Sequence, residues 1–94
     1  MERQPLTDAE VRAQLLSLPG WQLEEGRLVR ELSFDSFVEA FGFLTSLALI
    51  AERMHHHPEI YNVYNRVTLK LWTHDANGIT ALDLHLAHAA EKLL

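Results

Sequence analysis

The chain has 94 residues, 48% of them hydrophobic and 22% charged, with no cysteine. This is the composition of one ordinary globular domain over residues 1–94, whose core is thin enough that association between copies would help it. Eight Lys+Arg against thirteen Asp+Glu leave a net charge of -5, and no basic stripe tracks a phosphate backbone. Nucleic-acid binding, disulfides, thiol nucleophiles and cysteine-type zinc sites are therefore not expected.

Met1 to Gly20 alternates charges with leucines and lacks the basic and apolar regions of a secretory signal. Within it, Thr7 followed by Glu10 predicts a helix that runs to about Leu18, where Pro19-Gly20 stops it. Trp21–Glu25 and Arg27–Phe34 have strand character and read as a hairpin around Glu25-Gly26.

Ser36 with Glu39 predicts the second helix start, and the helix extends over about Phe37–His55. It carries two apolar stripes. One holds Phe37, Phe41, Leu44, Ala48 and Ala51, expected to face the sheet; the other holds Phe43, Leu47, Ile50 and Met54, expected to meet a partner subunit. Its weakly polar run, Phe41–Ala51, is far shorter than the roughly 20 residues that span a bilayer. No membrane association is expected, and the cytoplasm is the expected location.

Ile60–Tyr64 and Val67–Thr73 form a second strand pair joined at Asn65-Arg66, and in the latter Val67, Leu69 and Leu71 alternate with more polar residues. Thr80 with Asp83 predicts the third helix, with Ile79 and Leu84 as a hydrophobic staple and Leu86, Ala87, Ala90 and Leu94 on one stripe. The order α-β-β-α-β-β-α predicts an α+β fold in which three helices pack on one face of a mostly antiparallel four-stranded sheet.

Six histidines fall in this short chain, three of them consecutive at His55, His56 and His57 before Pro58. Neighbouring side chains diverge by about 100° in a helix and point to opposite faces in a strand, so the three do not chelate one ion. A helix-to-strand corner does aim side chains into a cleft, and imidazole donates and accepts protons near neutral pH. Unaided, His56 and His57 are better explained as polar residues at a helix C-terminus, and Asp83 equally well as the acidic partner of Thr80.

The series Glu52, His56-His57-Pro58, Tyr64, His74 and Asp83 resembles the signature of the pterin-4a-carbinolamine dehydratases, most closely over Glu52 to Val67 and at Thr73-His74. The predicted element order is similar to that family's fold over the whole chain. Leu82 stands where an arginine often precedes the aspartate, and Ile60 where a tryptophan often stands.

The resemblance implies a hydro-lyase that dehydrates 4a-hydroxytetrahydropterin to quinonoid dihydropterin, recycling the pterin used by aromatic amino acid hydroxylases. It implies His56, His57 and His74 as catalytic residues, and Glu52, Pro58, Tyr64 and Asp83 as pterin-binding ones. No cofactor and no metal are implied, and a homodimer or homotetramer is. His55, His85 and His88 read as solvated or packing residues. The alternative is a non-catalytic member that serves as a dimerisation or assembly scaffold.

Overall fold

A computed structural model describes residues 4–94 of the chain; Met1 to Arg3 of the expected 1–94 domain lie outside the described residues. The elements follow the predicted order: α1 (Asp8–Leu15), β1 (Trp21–Glu24), β2 (Arg27–Ser33), α2 (Phe37–Met54), β3 (Glu59–Val63), β4 (Arg66–Leu71) and α3 (Ala81–Lys92), with one 3-10 turn, His74–Ala76, after β4. The sheet order is β1-β2-β4-β3 and every pairing is antiparallel.

Local chemistry sets the element starts. Thr7 and Glu10 form a reciprocal capping box, as do Thr80 and Asp83, and the Ser36 side chain accepts from the Glu39 N–H. The β1–β2 turn places Glu25 and Gly26 both at positive φ, +50° and +76°, the combination a two-residue turn needs to follow the twist of its strands. Regular helix in α1 stops at Leu15, short of the expected Leu18. Pro19 disfavours helical backbone before it, and the chain closes instead through turn bonds from Leu16, Ser17 and Leu18 to carbonyls three residues back. Tyr64 and Asn65 form the second hairpin turn, so Arg66 belongs to β4.

Leu28, Val67, Leu69 and Leu71 project from one face of the sheet into a core shared with Val11 of α1, Leu47 of α2 and Leu86 of α3. The expected assignment of the α2 stripes holds at Leu44 and Ala51 and is reversed at the other positions. Ala40, Phe43, Leu44, Leu47 and Ala51 are buried and Ile50 and Met54 pack against the core, whereas Phe37 and Phe41 are half exposed beside the open Val38 and Leu49. The two alanines, Ala40 and Ala51, are almost wholly covered. They sit among the larger Phe43, Leu44 and Leu47, a small-and-large set that lets side chains interdigitate at close approach. Leu94 is also exposed, because α3 ends before it.

The topology brings two chain corners together. α2 carries the chain from β2 to the edge strand β3, and β4 returns between β2 and β3, so the C-terminal end of α2 lies beside the end of β4.

Candidate active site

α2 ends by a geometry that re-aims the next residues. His55 takes the left-handed conformation at φ +54° and ψ +39°, its N–H bonds to Glu52 O, and the His56 N–H reaches back to Ala51 O. This is the Schellman closure, in which glycine is usual. A non-glycine residue in that conformation costs about 1–2 kcal/mol, the kind of local strain that collects at functional sites. The reversal turns His56 inward, and Pro58 disfavours helical backbone at His57 before it.

On the other side, Thr73 and Gly78 bridge by backbone bonds in both directions, closing the loop that contains His74. His56, His57 and Pro58 from the first corner and Trp72, Thr73 and His74 from the second line a cleft of about 450 Å³. That volume suits a small heterocyclic ligand.

Beneath the cleft is a buried polar network. His56 Nε2 lies 2.5 Å from Asp83 Oδ1. The other oxygen, Oδ2, accepts from the Thr73 hydroxyl at 2.8 Å and from the Thr80 N–H at 2.9 Å. The Thr80 and Thr73 hydroxyls are 2.8 Å apart, and Thr80 Oγ1 accepts from the Leu82 N–H. With Thr73 donating to Asp83, Thr80 donates to Thr73, and the donors run in one direction toward the carboxylate. Asp83, Thr80 and Thr73 are all essentially inaccessible. A carboxylate acceptor at Nε2 fixes the neutral ring as the Nε2–H tautomer and leaves Nδ1, which has no protein partner among the described residues, to work as a proton acceptor.

His57 is held differently. Its Nε2 lies 2.7 Å from Glu52 Oε1 in an exposed pair. The His57 hydrogen bond, then its charge, holds the Glu52 carboxyl below its ordinary value of 4.5, with a smaller contribution from His55 and slight opposition from desolvation.

The structure thus gathers His56, His57, Pro58 and His74 at one cleft, with Glu52 reaching it through His57. Two expected pterin contacts lie elsewhere. Asp83 is wholly buried with both oxygens taken by protein donors, so it lies behind His56 and not in the cleft; one carboxylate both caps its helix and bonds His56. Tyr64 occupies the β3–β4 turn at positive φ, exposed, with the whole of β3 between it and Pro58, about 17 Å of strand. Thr73 and Glu59 fall within the stretches that carry the resemblance but have no role in the sequence reading, and Trp72 lies outside those stretches. The available signal for Trp72 was period two: an aromatic just past β4 that continues the outward alternation of Thr68 and Lys70, two residues before His74. Among the described residues no three His, Asp or Glu side chains converge as a metal-binding set.

The sequence profile of the pterin 4 alpha carbinolamine dehydratases matches residues 4–93. The chain belongs to that family. A Prochlorococcus marinus relative is 45% identical over 99% of this chain and 97% of its own length, and one from Solibacter usitatus is 49% identical over 94% and 93%; both carry the dehydratase name provisionally. The crystal structure of a transcriptional coactivator/pterin dehydratase from Brucella melitensis superposes with a TM-score of 0.93 at 40% identity, covering 96% of this chain and 98% of that one. A pterin dehydratase-like RuBisCO assembly factor of the alpha-carboxysome, at TM-score 0.64 and 22% identity over 78% of this chain and 84% of its own, shares the fold.

Proposed function

We propose that this protein dehydrates pterin-4a-carbinolamine to quinonoid dihydropterin and water, as one catalytic domain of the cytoplasm, and so returns the pterin used by aromatic amino acid hydroxylases. The observation that carries the reading is the carboxylate-backed His56 at the same cleft as His57 and His74. In the reaction the C4a–O bond breaks as the hydroxyl takes a proton and leaves as water. The lone pair of the adjacent ring nitrogen forms the C=N bond, and loss of a ring N–H proton restores neutrality. Two proton transfers suffice, and imidazoles match them near neutral pH.

In this reading His56 and His74 are the acid–base pair, and His57, steadied by Glu52, binds the pterin and assists proton transfer. Asp83 fixes the His56 tautomer, as a carboxylate does for a histidine base elsewhere, and Pro58 fixes the corner. Neither metal nor cofactor is needed for proton movement alone.

The same reading includes a homodimer or homotetramer. Phe37 and Phe41, with ring centroids 5.2 Å apart, and the neighbouring Val38 and Leu49 form an apolar face on α2 that a second copy would cover. That face also favours the alternative, a scaffold for a protein partner. A scaffold has no use for a buried histidine–aspartate pair opening on a cleft.

Stopped-flow dehydration of 4a-hydroxytetrahydropterin generated by a hydroxylase separates the two. His56→Ala and His74→Ala are each expected to lower the rate by about 10²–10⁴ where proton transfer is lost. The double variant is expected to lose nearly all activity, and His88→Ala to match wild type. A folded double variant as fast as wild type would overturn the assignment.

A further inference from the structure

The cleft histidines differ in what holds them. His56 is held by Asp83 and His57 by Glu52, whereas among the described residues no hydrogen bond holds the imidazole of His74. Its oriented contact is with Trp72, at a ring-centroid distance of 4.1 Å and an interplanar angle of 46°. Trp72 is itself built in. Its Nε1–H donates to Glu59 Oε2 at 2.5 Å, and the Arg27 guanidinium lies 4.4 Å from the ring centre, with Arg27 Nε 3.5 Å from the same Glu59 oxygen.

Sheet register assembles this cluster. Leu28 pairs with Leu71, so Arg27 stands opposite Trp72 one step further on; Glu59 pairs with Lys70, diagonal to Trp72. Two strands and the residue just past β4 therefore each contribute one side chain to the corner where His74 leaves the sheet. The Arg27–Glu59 pair is partly exposed, so it adds little to stability. Its geometric effect is larger: a carboxylate at the indole edge and a guanidinium near its ring fix the plane against which His74 lies. With a guanidinium and an imidazole both against it, the indole's π surface is already used by protein groups.

We infer that Trp72, its plane fixed by Glu59 and Arg27, is the positioning residue of His74, a tilted aromatic contact that orients the imidazole while leaving both ring nitrogens open to substrate. This rests on the dehydratase reading and extends it to residues outside the histidine signature.

The test compares wild type with Trp72→Ala, Trp72→Phe, His74→Ala and the Trp72→Ala/His74→Ala pair, by dehydration kinetics and by histidine-ring proton resonances of the free proteins. Misorientation of a reacting group costs about 10²-fold, so Trp72→Ala is expected to lower kcat by about 10–100-fold with KM nearly unchanged. Trp72→Phe keeps an aromatic surface and should recover most of that loss. In the His74→Ala background, removal of the indole should change the rate by less than about 2-fold, because the two act as a unit. The His74 ring protons should lose their upfield ring-current shift in Trp72→Ala and keep much of it in Trp72→Phe.

A raised KM at constant kcat, or a further loss in the His74→Ala background, would overturn the inference by making Trp72 a direct pterin contact. Unchanged His74 resonances in Trp72→Ala would overturn it as well. A wild type without dehydratase activity removes the functional reading alone, and the resonances then decide whether Trp72 holds His74.

Discussion

Replacing Asp83 with asparagine separates the structural and chemical duties of this carboxylate, because its two oxygens have different partners. Oδ2 receives two donors, the Thr73 hydroxyl and the Thr80 N–H, so the amide oxygen of the variant must take that place. The amide NH₂ then faces His56 Nε2 at the former Oδ1 position. An N–H cannot donate to another donor, so the ring must present Nε2 as an acceptor and carry its proton on Nδ1. The other ring nitrogen, Nδ1, changes from proton acceptor to donor.

Three bonds to a charged acceptor become neutral ones, each weaker by about 1 kcal/mol, giving an upper limit of about 3 kcal/mol. Asp83→Ala instead leaves buried donors without acceptors and removes half of a buried pair, about 3–5 kcal/mol. That is a large share of the roughly 5–14 kcal/mol expected for 94 residues. The expected order of stability by urea unfolding is wild type, then Asp83→Asn, then Asp83→Ala. Activity should not follow that order: Asp83→Asn, though folded, should lose about 10²–10⁴ in kcat through the wrong tautomer. Long-range ¹H–¹⁵N spectra of the imidazoles read the tautomer directly. An asparagine variant that keeps the Nε2–H tautomer, or one with the altered tautomer and wild-type rate, would refute the reasoning.

The Glu52 carboxyl is held below 4.5 by His57, so its ionised form is favoured in the folded state; whatever the pair contributes is present above the ordinary glutamate value and lost as pH falls through the lowered one. A carbon-detected titration should find the Glu52 midpoint below 4.5 and see it return toward 4.5 in His57→Ala; an unmoved midpoint would contradict the pairing. Phe41→Glu should lower the oligomeric state measured by light scattering, because Phe41 lies on the open face of α2; a monomeric wild type at micromolar concentration would dismiss that interface. Prolonged chelation should leave the dehydration rate unchanged, and loss of rate restored by zinc would mean that a Lewis acid takes part.

Short-range chemistry was legible in the sequence. The caps at Thr7, Ser36 and Thr80, the two-residue turn at Glu25-Gly26 and the alternation of Val67, Leu69 and Leu71 each depend on residues within four or five positions of one another, where hydrogen bonding and side-chain period act directly. The histidine cluster, His74 and Asp83 were visible as residues of a family signature. Their division of labour was not. Which residues of the two α2 stripes are buried depends on the fit of Ala40, Phe43, Leu44, Leu47 and Ala51 against the sheet, since both stripes satisfy the helical period equally. Asp83 reaches His56 across 27 residues of chain, and Trp72, Glu59 and Arg27 meet through strand register; only tertiary packing could bring such partners together, because nothing local distinguishes an aspartate that caps its helix from one that also holds a histidine.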